Sequence, residues 1–122
     1  MISFRQKVIE KDLLSEIPKY LKNKKIPYTM IKKREANKVS QINSKAMVIR
    51  SYKSDSSGKY RIEIQDKALY RYTQKLVEEI FGMKITDIDQ KNRVITAETS
   101  SEGLMMDFIE LLGLKYNLSI VE

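Results

Sequence analysis

This chain of 122 residues contains neither cysteine nor histidine. The absence of cysteine excludes disulfide bonds and thiolate chemistry, and it is compatible with a reducing compartment. The absence of histidine removes the commonest proton-transfer group at neutral pH and the usual zinc ligand. These two absences exclude the common zinc centres and the catalytic sites built on cysteine or histidine, so we expect no cofactor and no metal.

Glycine is scarce, and its placement excludes the Gly-rich phosphate loops. The four glycines, at positions 58, 82, 103 and 113, are too far apart to form one phosphate cradle. No Walker loop, Rossmann glycine pattern, zinc signature, nucleophile elbow or EF-hand loop occurs in the sequence. We identify no protein family from these residues, and we expect a protein without catalytic activity.

Long apolar runs are absent as well. Uninterrupted apolar runs span only a few residues, and the start, Met1 to Arg5, lacks the apolar core of a signal peptide. Hydrophobic residues make up 42% of the chain and charged residues 32%, which is typical of globular rather than disordered proteins. We therefore expect a single domain over residues 1–122, located in the cytoplasm and without a membrane partner.

Basic charge is concentrated in one half of the chain. The formal net charge is +7, but residues 1–61 carry sixteen basic and five acidic residues, whereas residues 62–122 carry seven basic and eleven acidic ones. The densest stretch, residues 19–53, holds eleven cations and a single acid, Glu35. This asymmetry between a basic half and an acidic, more apolar half indicates that one side of the protein faces a polyanion.

The basic stretch also contains tyrosines, and the combination predicts nucleic-acid binding. Contacts between cationic side chains and phosphates supply most of the sequence-independent affinity for DNA or RNA, and aromatic rings can stack on unpaired bases. The predicted binding residues are Lys22, Lys24, Lys25, Tyr28, Lys32, Lys33, Arg34, Lys38, Lys45, Arg50, Tyr52 and Lys53. One alternative is a protein-interaction or assembly module whose basic face meets an acidic partner protein. Lysine-rich loops are also common as plain solvated surface.

Hydrophobic periodicity predicts the element order β-α-β-β-β-α-β-β-α-β. The predicted strands are residues 2–9, 28–33, 46–53, 59–65, 84–89, 93–98 and 116–121, and the predicted helices are residues 13–23, 66–81 and 100–113. In the second helix we expect Leu69, Tyr72, Leu76, Val77 and Ile80 to face inward. Residues 34–45 show no clear period and predict a loop or a short helix.

This order indicates an α+β fold, with a mainly antiparallel sheet or sheets covered by about three helices. Runs of hairpins separated by helices are typical of that class. The first and last β-α-β segments are loosely alike. Two half-sheets would therefore fit the pattern, and so would a split ferredoxin-like arrangement with an inserted hairpin and helix.

One polar group on a hairpin bears on a third interpretation, a metal-dependent nuclease, and a second group of acids could do acid–base work or hold a divalent cation. Asp55, Glu63 and Gln65 lie on the central hairpin, and Asp87, Asp89 and Glu98 lie on the late hairpin. A magnesium site needs carboxylates that converge on one point. Aspartates at turns and mixed charges on exposed hairpins are ordinary without any metal, so we place this interpretation behind the other two.

The third predicted helix is apolar nearly all round. Met105, Met106, Phe108, Ile109, Leu111 and Leu112 leave it little polar surface. A helix of this kind is buried on several sides or is shared with another subunit. We expect a homo-oligomer, with a dimer as the simplest form, whose interface includes Met105, Met106 and Leu111.

Overall fold

The computed structural model describes residues 9–67 and 70–122, and within them seven strands form one mixed sheet. The strands are β1 (Glu10–Asp12), β2 (Thr29–Ile31), β3 (Ala46–Asp55), β4 (Tyr60–Gln65), β5 (Lys84–Asp89), β6 (Val94–Thr99) and β7 (Asn117–Val121). Their order across the sheet is β2-β7-β3-β4-β6-β5, and β1 pairs with the last residues of β3. The predicted first strand, residues 2–9, lies almost wholly outside the described residues.

The sheet is antiparallel on one side and parallel on the other. β3, β4, β6 and β5 form an antiparallel meander, whereas β7 lies between β2 and β3 and runs parallel to both. The α+β class is therefore confirmed, and four of the six strand pairings are antiparallel, although β7 pairs in parallel with β2 and β3. One continuous sheet also replaces the alternative of two half-sheets.

Four helices are described rather than about three. They are α1 (Glu16–Asn23), α2 (Ala36–Ser40), α3 (Tyr70–Lys75) and α4 (Glu102–Lys115). Ser15 precedes α1, which places Pro18 inside the first turn, where its missing N–H breaks no helical hydrogen bond. The additional helix is α2, so the short-helix alternative for residues 34–45 is confirmed. Across the described residues, no helix combines the length and the apolarity that a membrane span requires.

Three helices cover one face of the sheet. The largest core cluster joins α1, α3 and α4 to the residues of β3, β4, β6 and β7 that face them. Its fully buried members include Ile17, Leu21, Met47, Ile49, Ile62, Ile64, Ile95, Met105, Phe108, Ile109, Leu112 and Ile120. Among the described residues, α2 and Leu14 pack on the opposite face, which we call the outer face, over a small cluster of Ile31, Ala36, Val48 and Val121. The antiparallel half of the outer face therefore stays polar.

The helix predicted over residues 66–81 is shorter and changes its winding. α3 covers Tyr70–Lys75 and continues into a π-helical turn over Leu76–Ile80. Leu76 and Val77 are buried as predicted, but Tyr72 and Ile80 are exposed at 40% and 64%, contrary to the prediction. A π turn has more residues per turn than an α-helix, so residues four apart no longer share a face. Leu69 lies outside the described residues.

Gly113 lies inside α4 rather than at its end, where the sequence suggested a C-terminal cap. A β-carbon at this position would lie 2.5 Å from Cγ2 of Ile26 and 3.3 Å from Cδ1 of Leu118. Ile26 follows α1, so the missing side chain lets α4 pack closely on the chain between α1 and β2. Gly103, near the start of the same helix, has no atom closer than Ser101 Oγ at 3.9 Å.

This difference predicts opposite effects for the same substitution in one helix. Gly103→Ala should raise the free energy of unfolding by roughly 0.5–1 kcal/mol, because alanine restricts the unfolded chain and nothing obstructs its methyl group. Gly113→Ala should lower it by roughly 1–3 kcal/mol, because the methyl group overlaps Ile26. Chemical denaturation of both variants measures the two changes. Equal stabilisation by both would contradict the close packing of α4 on Ile26.

Candidate nucleic-acid interface

A concentration of exposed positive charge follows β2. Ile31 ends the strand with its side chain buried on the outer face, and a 3₁₀ turn over Lys33–Glu35 then leads into α2. The buried side chains of α2 are those of Ala36 and Ser40. This anchoring leaves four cations of the segment exposed to solvent, and we call them the basic rim: Lys32, Lys33, Arg34 and Lys38.

The charges of the basic rim are not neutralised locally. Within residues 9–67 and 70–122, none of its four cations forms an ion pair with a carboxylate. The one acid of the segment, Glu35, accepts a hydrogen bond from the backbone N–H of Lys32 at 3.1 Å, which caps the 3₁₀ turn. Three consecutive cations, Lys32, Lys33 and Arg34, are thus exposed to solvent and form no ion pair with a described carboxylate.

A polar network ties the basic rim to the sheet. Arg50 sits at a β-bulge in β3, where the register with β4 shifts between Ile49 and Ser51. Its guanidinium donates to Gln65 Oε1 at 2.9 Å and to Asn37 Oδ1 at 3.4 Å. Gln65 Nε2 in turn donates to Asn37 Oδ1 at 2.7 Å and to the carbonyl of Asn92 at 2.9 Å. α2 is therefore held in a fixed position relative to β3 and β4.

The sequence placed Gln65 on an exposed strand face, and this is wrong in one respect. Gln65 does face outward from β4, but only 1% of it is exposed, because Asn37, Arg50 and Asn92 enclose it. The period of β4 identifies the face correctly. It cannot show that α2 packs over that face, since Asn37 lies 28 positions away in the chain.

Arg50 and Lys53, also predicted to bind nucleic acid, lie in a mixed-charge environment. Together with Lys33 they line an open cavity of about 320 Å³ on the outer face, whose other lining residues are Asp12, Leu14, Ser51, Glu63, Val121 and Glu122. Lys53 Nζ pairs with Glu10 at 3.7 Å. Carboxylates close to a cation repel phosphate and reduce its contribution to binding. Arg50 and Lys53 are therefore weaker candidates than Lys32, Arg34 and Lys38 of the basic rim, and Lys33 shares their cavity.

The remaining cations of the basic stretch lie at the other end of β2. Lys19 and Lys22 are exposed on α1, and Lys24 and Lys25 follow it. Lys45 directly precedes β3, and Tyr28, which is half-buried, directly precedes β2. Because both strands run parallel to β7, these two residues lie at the same end of the sheet. β2 thus separates these residues from the basic rim. The predicted binding residues form two groups rather than one surface.

The backbone at the end of α1 is conformationally constrained. Lys25 has φ of 60°, in the left-handed region that favours glycine. Its N–H donates to the carbonyl of Lys22, and the N–H of Ile26 donates to that of Leu21, which forms a Schellman motif. The ammonium group of Lys24 lies 5.8 Å from the centre of the Tyr20 ring. These cations thus take part in ending the helix as well as carrying charge.

Tyr52 is not available to stack on a base, which corrects its assignment as a binding residue. It is 1% exposed, its hydroxyl donates to Met106 Sδ at 3.8 Å, and its ring packs on Tyr60 at 6.4 Å between centroids. The bulge at Arg50 resets the alternation along β3, so Tyr52 lies opposite Ile62 on the helix-covered face. The sequence did not reveal the bulge and left the side of Tyr52 undecided.

The acids proposed for a nuclease do not form a metal site. Asp55 accepts hydrogen bonds from the backbone of Ser57 and Lys59 and so shapes the hairpin turn, whereas Glu63 lies further along β4 and accepts from Ser51 Oγ. Glu98 pairs with Lys59 and Arg61 on the outer face. In the part of the chain that the structure describes, no group of three or more acids is placed to hold a metal ion. The two remaining acids of the late hairpin, Asp87 and Asp89, lie on β5. Asp89 accepts hydrogen bonds from Asn92 and so caps that turn.

The helix assigned to an oligomer interface is largely covered within one chain. Met105 is fully buried in the core, so its assignment to an interface is wrong. Met106 and Leu111 are partly buried against the same core. α4 exposes less apolar surface than the sequence predicted, because α1, β6 and β7 all contact it.

Comparison with known proteins adds no relative. No family model, no curated protein and no solved structure matches this chain.

The burial of Tyr52 predicts that its hydroxyl group ionises at a higher pH than an exposed tyrosine. Burial raises the pKa of Tyr52 from 10.0 to about 12, with smaller contributions from Glu102 and Tyr60, because the ionised phenolate is disfavoured in the core. The neutral phenol therefore stabilises the fold fully below pH 10, and this contribution is lost as the pH rises toward 12.

Spectrophotometric titration of the wild type and Tyr52→Phe checks this expectation. The difference between the two phenolate absorbance curves should report one tyrosine that ionises near pH 12. Stability of the wild type should fall more steeply than that of Tyr52→Phe between pH 10 and pH 12. A difference curve centred on the ordinary tyrosine pKa would show that Tyr52 is solvent-exposed.

Proposed function

We propose that this protein is a non-catalytic, cytoplasmic nucleic-acid-binding protein that contacts the phosphate backbone of DNA or RNA through the basic rim. The observation that carries the proposal is the exposure of Lys32, Lys33, Arg34 and Lys38 on one short segment without an ion pair to any described carboxylate. Such cations release counterions from nucleic acid when they bind, which supplies affinity that does not depend on sequence.

The surroundings of the basic rim favour phosphate contacts over base recognition. Stacking on unpaired bases commonly uses exposed aromatic rings, and Tyr52, which the sequence assigned to binding, is buried in the core. The neighbouring outer face carries acids such as Glu63 and Glu122, which would repel a phosphate placed there. We therefore expect the nucleic acid to lie along the basic rim rather than across the sheet. Phosphates are common to DNA and RNA, so this contact selects neither.

The anchoring of α2 supports the same proposal. Asn37 lies between Lys38 and the basic residues of the 3₁₀ turn, and it accepts hydrogen bonds from both Arg50 and Gln65. The backbone of the basic rim is thus positioned before any ligand binds. Preorganised charges lose less conformational freedom on binding than charges on a disordered tail.

The proposal predicts that the affinity for nucleic acid falls with salt and that the basic rim causes most of this dependence. Four phosphate contacts give a slope of log affinity against log salt of roughly −3.6 on duplex DNA and about −2.8 on single strands. Replacing Lys32, Lys33 and Arg34 together by alanine should make this slope shallower by roughly 2–3 units. Binding titrations at several salt concentrations, against single- and double-stranded DNA and RNA, measure the change.

The chain offers a matched control for net charge. Lys19→Ala, Lys22→Ala and Lys24→Ala together also remove three positive charges, but from the exposed lysines on and directly after α1, on the other side of β2. We call these lysines the α1 group. This control should retain most of the slope, and both variants should unfold at temperatures close to that of the wild type, since exposed lysines contribute little to stability. If the control flattens the slope instead, the α1 group is the site. If the wild type binds no nucleic acid at low salt, an acidic protein partner replaces nucleic acid in the proposal.

A further inference from the structure

β5 presents an open sheet edge on the side of the molecule formed by the antiparallel meander. It pairs with β6 on one side, and no strand among the described residues pairs with its other side. Four of its six residues are exposed, and the other two are intermediate. The edge strand at the opposite end of the sheet, β2, has only three residues. β5 is therefore the longer of the two terminal edges.

Apolar side chains accompany this edge on the helix-covered face. Ile85 and Ile88 lie opposite Ala97 and Ile95 of β6, and 37% of Ile88 is exposed although the face belongs to the core. The π-helical turn that ends at Ile80 contacts β5, and Ile80 is 64% exposed. Ile80 and Ile88, which lie beside the core, are thus partly exposed to solvent along this edge.

We infer that β5 pairs antiparallel with β5 of a second copy of this chain, across a two-fold axis between Thr86 and Asp87. In this register Lys84 lies opposite the partner's Asp89, Ile85 opposite the partner's Ile88, and Thr86 opposite the partner's Asp87. The two-fold axis repeats each pair, as it does in any isologous interface. The result is one sheet that continues through both copies. The inference is independent of the nucleic-acid proposal.

The sequence of β5 is complementary to itself in this register. Lys84 and Asp89 both face outward, so the pairing opposes unlike charges at each end of the strand. Ile85 and Ile88 both face the helix layer, and the β-bulge between Ile85 and Asp87 is what places these residues, three apart, on one face. A shift of one residue would set Lys84 opposite the partner's Ile88 and join an outward side chain to an inward one.

Charges on an edge strand usually prevent unspecific pairing, and here they select the partner. A strand without an acid and a base at the same spacing would leave Lys84 or Asp89 opposite an apolar or like-charged residue. Self-pairing places an opposite charge beside Lys84 and beside Asp89, and it covers Ile88. Six residues form a short interface, so we expect association at the weak end of specific complexes.

Cysteine pairs test the register directly, because the chain has no native cysteine. In Lys84→Cys/Asp89→Cys, each introduced thiol lies opposite its partner copy's other thiol, and a mild oxidant should link the copies through two disulfides. In either single variant the equivalent thiols lie about 16 Å apart along the strand, too far for a disulfide. We expect a covalent dimer from the double variant alone. Absence of linkage, or equal linkage in the single variants, overturns the register and the proposal.

A charge in the apolar centre of the interface supplies the second test. Sedimentation of the wild type up to about millimolar concentration should show reversible dimerisation. Ile88→Lys should weaken it at least about tenfold, because the ammonium group would face the partner's Ile85. Leu114→Lys is the matched control, since Leu114 is 68% exposed on α4 and away from β5. Retained dimerisation in Ile88→Lys, equal loss in Leu114→Lys, or a wild type that stays monomeric overturns the proposal; circular dichroism confirms that each variant is folded.

Discussion

The bulge in β3 at Arg50 is the constraint on which most of this architecture depends. Before it, Ala46–Ile49 are buried on both faces of the sheet, because α2 covers one face and the helix layer covers the other. After it, only one face is covered, and the strand alternates between core and solvent. The hydrogen bonds of Arg50 to Asn37 and Gln65 hold α2 at this transition. One side chain thus connects the parallel and antiparallel halves.

Folding places the cations of the basic stretch, residues 19–53, in different surroundings on the protein surface. On the antiparallel outer face, Glu10 pairs with Lys53 and Arg61, and Glu98 pairs with Lys59 and Arg61, so positive charge there is largely neutralised. Cations without an ion pair to a described carboxylate are left on the basic rim and, at the other end of β2, at Lys22, Lys24 and Lys25. A high density of lysines along a chain therefore overstates the surface that can attract a polyanion, because partners from distant strands remove part of it.

The strands of the meander were predictable because each obeys a strong local rule. β4 alternates apolar and polar residues, as does β6 after Val94, and the hairpin between β3 and β4 is set by a turn whose Gly58 takes φ of 85°. The position of β7 was not predictable in this way. Its parallel pairing with β2 and β3 joins residues far apart in the chain, and no local pattern encodes such a neighbour.

The sequence alone therefore determined the α+β class, most element positions and the presence of a basic half, since periodicity, turn residues and charge density are local properties. Only the tertiary structure decided that Tyr52 belongs to the core, that Gln65 is buried, and that the cations divide into two groups. These outcomes depend on a bulge and on the packing of α2. Each is settled by contacts between distant residues, which outweigh weak local preferences.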